Sequence, residues 1–313
     1  MRKVRAYDAF VIVNPTAGSG LAGKRWTEVA DALFRSLGSY RYAFTVRPGH
    51  ARTMAGEALA AGYEMVVAVG GDGTASEVVS AFFDGARNRS PDAVFAVVPL
   101  GTGCDLGRTL VQGCNIHEYC AALGDRACRT IDVGHVRYVD QAGHEAQRVF
   151  VNVASFGCGG AVARSITAAD KRLGARLGFN LAAAKALARY KNKTISVTLD
   201  KRMARRRGVT NVAVCNAQYF GGGMWVSPQA RVDDGELDIT IWSEFGLKDF
   251  ILKQRMLYDG SHLREERTQV ARVKSLTANS EEHVFLEVDG EYVGQLPAAF
   301  RILPGALKMK VQG

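Results

Sequence analysis

Four short apolar runs, each followed by a stretch that suits a helix, dominate the first third of the chain. Residues 8–14 (DAFVIVN), 40–46 (YRYAFTV), 65–70 (MVVAVG) and 93–100 (AVFAVVPL) predict strands, being short, apolar and bounded by turn residues. Helices are expected over Leu21 to Leu37, Ala51 to Ala61 and Thr74 to Phe83. Strand and helix in alternation predict an α/β fold with a parallel sheet covered on both faces. In such sheets ligands bind beyond the carboxyl ends of the strands.

After about Arg129 the pattern changes. TIDVGHVRYV, RVFVNVAS, TISVTLD, GVTNVAVCNA, ELDITIW, VARVKSL and HVFLEVD are β-rich segments with turn residues between them. They predict a second, antiparallel β-sandwich or barrel, with one helical insertion over Ala175 to Tyr190. The expected domains are 1–128 and 129–300, with the tail, about 301–313, a candidate to return to the first.

Composition narrows the class without choosing a function. The 313 residues are 47% hydrophobic and 23% charged, an ordinary globular balance. No apolar run approaches the roughly 20 residues that span a bilayer, and the N-terminal apolar run is too short for a signal peptide. The expectation is a cytoplasmic protein. Its six cysteines include no CxxC pair, which argues for reduced thiols over a zinc site or disulfide framework. A net charge of +9 favours acidic partners such as nucleotides or anionic membrane surfaces. No nucleic-acid-binding signature accompanies it.

Three glycine-bearing loops follow the predicted parallel strands. The first, Asn14-Pro-Thr-Ala-Gly18-Ser-Gly20, lets backbone N–H groups approach phosphate oxygens ahead of a helix N-terminus. Gly18 to Lys24 also approximates a Walker A loop, but Arg25 stands where that motif needs a magnesium-binding hydroxyl, so a P-loop NTPase is rejected. The second, Gly70-Gly71-Asp72-Gly73-Thr74, places a carboxylate at the mouth of the sheet and is followed by Glu77. The third, Pro99-Leu-Gly101-Thr102-Gly-Cys104-Asp105, repeats the strand-to-helix turn.

In their order and spacing, NPTAGSG, T45xxxG49-H50-A51, GGDGTxxEV and PLGTGxD resemble the diacylglycerol kinase catalytic domain, shared by soluble bacterial lipid kinases and sphingosine and ceramide kinases. The resemblance continues through F156-GCGG, N216-AxxFGGG, S227-PxAxxDDGxLD and E287-VDGE. It implies an N-terminal three-layer nucleotide domain like those of NAD kinases and phosphofructokinases, followed by an antiparallel β-sandwich domain. It implies an ATP- and Mg²⁺-dependent lipid kinase acting on a diacylglycerol-like or sphingoid hydroxyl.

Carried over residue by residue, the resemblance implies nucleotide contacts at Asn14, Gly18, Thr45, Gly71, Gly73, Thr74, Glu77, Gly101 and Thr102. Asp72 is implied to orient magnesium and phosphates or the acceptor hydroxyl. Asp289 is implied as general base, at a DG hairpin tip. Asp233 and Asp234 are implied ligands of a structural Mg²⁺, for which hard oxygen donors suit, although a DDG turn without metal accounts for them equally. Two departures stand out: Cys104 and Ser76 occupy positions where the family usually has Asn. They leave open an altered nucleotide site, or a weakened protein that only senses nucleotide or lipid. A kinase of a non-lipid hydroxylated molecule is the other alternative.

A lipid kinase must also reach a bilayer. Lys171, Arg172, Arg176, Lys185, Arg189, Lys191 and Lys193 accompany Leu173, Leu177, Leu181 and Leu187, which predicts a basic amphipathic helix. Lys201, Arg202, Arg205, Arg206 and Arg207 form a second basic cluster. The expected partners are therefore a lipid substrate and a peripheral membrane surface, without nucleic acid, and the resemblance leaves room for a homodimer. Ser155 in VASFG lacks the first glycine of a nucleophile elbow, so acyl hydrolysis is not expected.

Overall fold

The computed structural model describes residues 7–110, 115–125, 127–166 and 175–310. The chain forms two compact units, 1–131 with 305–313, and 132–304.

In the first unit, β1 (Ala9–Val13), β2 (Arg41–Phe44), β3 (Met65–Gly70) and β4 (Val94–Pro99) lie parallel in the order β2-β1-β3-β4. The register pairs Ala9 with Met65 and Met65 with Val94. All six residues of β3 are buried, as expected of a central parallel strand. Its Val67 and Val69 pack with Val11, Val13, Ala96 and Val98 in one core.

The helix expected over 21–37 is two pieces, α1 (Leu21–Lys24) and α2 (Trp26–Leu37). The break falls at Arg25, whose guanidinium turns to the Glu28 carboxylate at 2.7 Å. Then come α3 (His50–Ala60), α4 (Asp72–Phe82), α5 (Asp105–Leu110) and α6 (Ile116–Ala122). Asn115 caps α6 by accepting from the Glu118 N–H.

The second unit is antiparallel. Its strands are β5 (Arg129–Asp140, entering from the first unit), β6 (Glu145–Phe150), β7 (Val153–Gly157), β8 (Lys193–Leu199), β9 (Arg202–Cys215), β10 (Leu237–Ser243), β11 (Thr268–Val273), β12 (Ser275–Asn279), β13 (Phe285–Val288) and β14 (Glu291–Met309). The long β9 pairs with β8 at one end, with β7 at the other, and with β10. The 19-residue β14 pairs in turn with β13, β12 and, through Lys308 and Met309 inside the first unit, with β4. Strands that change partners along their length build the two layers of a β-sandwich around Phe150, Phe156, Ile239, Leu286 and Phe300. Phe156 and Phe300 stack with ring centroids 5.8 Å apart.

Among the described residues, three α-helices belong to this unit: α7 (Cys158–Ser165), α8 (Ala175–Leu187) and α9 (Leu247–Asp259). The expected insertion over Ala175 to Tyr190 is α8; the sequence pattern suggested neither α7 nor α9. Among the described residues no helix is long and apolar enough to cross a membrane.

Candidate functional site

The first unit gathers its three glycine loops into one layer at the carboxyl ends of β1, β3 and β4. Asn14 ties two of them, donating from Nδ2 to Thr74 Oγ1 at 3.0 Å while its Oδ1 accepts from Thr16. Gly18 has φ +62°, and a Cβ there would stand 2.5 Å from the Leu100 carbonyl of the third loop. A Cβ on Gly101 would run into the Gly71 Cα. These glycines let backbones meet where any side chain would hold them apart.

Asp72 begins α4, yet its carboxylate serves the next helix. Oδ2 accepts from the Asp105 N–H at 3.1 Å and Oδ1 from the Leu106 N–H at 3.0 Å, capping α5. Asp105 is buried at 5% exposure. A Cβ on Gly103 would lie 3.1 Å from Asp72 Oδ2 and 3.5 Å from Asp105 Oδ2, so the two carboxylates face one point. Asp105 stands in the quoted PLGTGxD motif but was not singled out as a site residue; only folding brings it beside Asp72.

Glu77 is directed elsewhere. Its oxygens accept from the Gly49 N–H at 2.8 Å and the Ala51 N–H at 3.0 Å, fixing the entry to α3. Thr45 is held by its own N–H on the Val13 carbonyl at 2.8 Å, and Thr102 is exposed on the third loop. Gly73 lies in the first turn of α4.

Cys104 adopts φ +50°, a left-handed conformation that Asn tolerates better than most residues. Its Sγ lies 3.1 Å from both N and O of Gly101, closing the loop as an amide would. Burial, with the Asp72 charge adding to it, pushes its thiol up to about 12. That is the reverse of the acidification a helix N-terminus would impose. Cys104→Asn is therefore expected to keep the loop, with unfolding free energy unchanged or raised by up to ~1 kcal/mol, and to preserve ATP affinity by calorimetry. Ser76 is buried within α4.

The second unit holds Asp289 at the tip of the β13–β14 hairpin, also left-handed at φ +49°. Its N–H donates to the Val153 carbonyl at 2.9 Å. Its Oδ1 accepts from the Asn152 N–H at 3.1 Å and its Oδ2 from the Val151 N–H at 3.4 Å. Two residues earlier, Glu287 is 3% exposed and directly opposite Ser155 in the β7–β13 register. Its Oε2 accepts from the Gly290 N–H at 2.8 Å, while Oε1 makes no hydrogen bond of normal geometry. Burial raises this carboxyl to about 7, against the Ser155 hydroxyl and the Gly290 N–H, which favour the ionised form. Arg148 pairs with Glu291 at 2.7 Å beside the hairpin.

In the DDG turn Asp233 and Asp234 each lie near an arginine. Arg231 Nε lies 3.5 Å from Asp233 Oδ1, and Arg272 NH1 lies 3.9 Å from Asp234 Oδ2. Among the described residues no group of three or more His, Cys, Asp or Glu is placed to hold a metal ion. With these arginines Asp233 and Asp234 make an ion-pair cluster.

An apolar cavity of about 120 Å³ lies among α7, α8, α9 and the strands below them. Phe220, Met224, Trp242, Phe245, Phe250 and Leu257 form much of its wall. His262, 2% exposed, places its ring nitrogens 3.1 Å from the Met256 carbonyl and 3.2 Å from that of Val226. Burial holds its imidazole below the ordinary value. A cavity of this kind suits a hydrocarbon segment and offers nothing to a polar metabolite. No sequence motif marked it, because its walls come from many separate segments between Cys158 and Glu265.

Of the expected basic helix, Lys171, Arg172 and Leu173 lie outside the described residues, as do the side chains of Arg176, Arg205, Arg206 and Arg207.

Comparison with known proteins joins the two units to known families. Residues 8–136 match the diacylglycerol kinase catalytic domain, and residues 152–311 match the YegS C-terminal NAD kinase beta sandwich-like domain. A Pseudomonas aeruginosa protein named "Probable lipid kinase YegS-like" is 31% identical over 294 residues, covering 92% of this chain and 90% of its own. The protein named diacylglycerol kinase in Bacillus subtilis is 25% identical, covering 93% and 92%. In fold, a crystal structure of a diacylglycerol kinase from Bacillus anthracis matches at TM-score 0.73 and 22% identity over 99% of this chain and 98% of that one. Yeast NADH kinase matches at 0.54 and 11% over 98% and 84%.

Proposed function

Because the chain belongs to the diacylglycerol kinase catalytic-domain family, we propose that it transfers the γ-phosphoryl group of ATP to a hydroxyl of a diacylglycerol-like or sphingoid lipid. The observation that carries the lipid acceptor is the apolar cavity in the second unit. A kinase of a soluble polyol or dinucleotide has no use for a Phe-, Trp- and Leu-walled recess.

In the first unit the three loops present backbone N–H groups and two helix N-termini to the phosphates. Asp72 and Asp105, whose carboxylates face one point, would hold a Mg²⁺ brought with ATP, which would supply neutralisation of phosphate charge. Asn14 and Thr74 hold the first two loops in register, and Glu77 positions the start of α3.

The lipid hydroxyl oxygen attacks the γ-phosphorus as the bond to the β-bridging oxygen breaks, and ADP leaves with that electron pair. An alcohol is far too weak an acid to ionise beforehand, so Asp289 accepts its proton as the new bond forms. Two amide bonds do not exhaust this carboxylate, which offers about four lone-pair sites.

The test compares ATP turnover with diacylglycerol in mixed micelles against glycerol and NAD. Stimulation by diacylglycerol alone supports the lipid acceptor. Faster turnover with either soluble alcohol sinks it.

A further inference from the structure

Helix α9 is unusual in having none of its 13 residues buried. Its inner side, including Phe250 and Leu257, walls the apolar cavity. Its outer side presents Lys248, Ile251, Leu252 and Arg255, at spacings of three, four and seven that define one helical face. Ile251 is 60% exposed and Leu252 70%. Lys248 and Arg255 are both exposed, and among the described residues neither lies within ion-pair distance of a carboxylate; the nearest acidic influence on Arg255 is Asp259, one turn on.

The neighbouring α8 likewise turns one side to the cavity and another to solvent. Tyr258 on α9 donates to Asn180 Oδ1 on α8 at 3.3 Å, and Ala183 and Leu187 of α8 share the cavity wall. Outward lie Leu177, 69% exposed, and Leu181, 42% exposed, followed by Lys185 and Arg189. From Lys171 to Lys193 the chain has no Asp or Glu. Single exposed apolar side chains need no explanation, but four on two adjacent helices, flanked by cations, mark an interaction surface.

We propose that the outer faces of α8 and α9, with Ile251 and Leu252 at their centre, dock this protein on an anionic phospholipid bilayer. The apolar side chains enter the acyl boundary while Lys248, Arg255 and Arg189 meet headgroup phosphates. The charge pattern favours this occupant over a protein partner: cations ringing large aliphatics suit a surface that is anionic outside and hydrocarbon beneath. The cavity then lies directly behind the docked helices, so an acyl chain reaches it without crossing water. That last step rests on the lipid-kinase proposal; the docking itself does not.

The experiment is sedimentation of the full chain with phosphatidylglycerol/phosphatidylcholine vesicles and with pure phosphatidylcholine vesicles. Two surface variants go alongside, Ile251→Ser/Leu252→Ser and Lys248→Gln/Arg255→Gln, with circular dichroism to confirm folding. Wild type is expected to prefer the anionic vesicles, with binding that weakens in salt. Removing two charges should lower it by roughly thirtyfold, and the Ser pair should weaken binding to both vesicle types. Turnover of vesicle-embedded diacylglycerol should fall in parallel, while turnover of dispersed dihexanoylglycerol stays at the wild-type level. Wild type that ignores anionic vesicles, or variants that bind as wild type does, overturns the docking surface. So does a Ser pair that dissociates a dimer and leaves vesicle binding intact, since the face is then a subunit interface. Vesicle binding without phosphorylation of any lipid would uphold docking and sink only the kinase reading.

Discussion

Asp289→Asn is expected to lower phosphate transfer to lipid by about 10²–10⁴-fold, the usual contribution of a positioned general base, and to leave ATP binding unchanged. Asparagine is the informative replacement because it keeps the left-handed φ of +49° that the hairpin tip requires. It removes the charge and the proton-accepting lone pairs, and it sets an NH₂ group toward an amide N–H, of Val151 or Asn152, that the carboxylate accepted. That local mismatch costs about 1–3 kcal/mol of hairpin stability, which urea unfolding will report separately. The nucleotide loops belong to the other unit and are untouched, so kcat falls while the ATP KM holds. Asp72→Asn should behave differently. It weakens the cap on α5 and the charge beside Asp105 together, so ATP binding and turnover both drop. Titration calorimetry with ATP beside initial rates separates the two patterns.

Glu287→Gln is expected to stabilise the protein increasingly as pH rises, relative to wild type. The buried carboxyl titrates near 7 in the folded chain against 4.5 as its ordinary value. Below about pH 4.5 it is protonated in both states and the two proteins differ little. Between 4.5 and 7 the unfolded state has lost the proton that the folded state still holds. Stability therefore falls with pH through that window and levels off above 7. The gap corresponds to on the order of 3 kcal/mol, at about 1.4 kcal/mol per pH unit. Burial causes it, and the negative Asp289 adds to it, while Ser155, Gly290 and Arg148 work the other way. Gln preserves the acceptor for the Gly290 N–H and carries no charge. The quantity to measure is the difference in urea unfolding free energy between variant and wild type at pH 5 and pH 8. A constant difference would mean the carboxyl is ionised throughout.

The parallel strands of the first unit were legible because buried parallel strands leave a plain trace, as MVVAVG does. The glycine loops were legible for a similar reason, since close backbone approach tolerates almost nothing else at Gly71 and Gly101. Helix α9 was not. LKDFILKQRMLYD keeps Ile251 and Leu252 in solvent and sets Lys253 and Gln254 against the cavity, which inverts the pattern that marks a core-packed helix. Strand β14 was also missed, because Gly294, Pro297, Pro304 and Gly305 read as breaks. Gly294 is there because the Val139 carbonyl occupies the place of a side chain.

The site itself divided along the same line. A motif points to Asp72 and Asp289, but the roles of Asp105, Glu287 and the cavity depend on burial and on partners brought in from distant segments. Glu287 alternates like any outward strand residue, yet in the folded chain it is buried opposite Ser155. Asp233 and Asp234 are metal ligands by resemblance alone, and only the folded chain shows Arg231 and Arg272 beside them.

The most direct measurement is to incubate the wild-type protein with [γ-³²P]ATP, Mg²⁺ and diacylglycerol in mixed micelles, extract the lipid, and count and identify the labelled product. A phosphorylated lipid that is made by wild type and nearly lost in Asp289→Asn is the predicted result. ATP binding with no label in the lipid phase, for diacylglycerol or for a sphingoid base, would contradict the assignment of this chain as a lipid kinase.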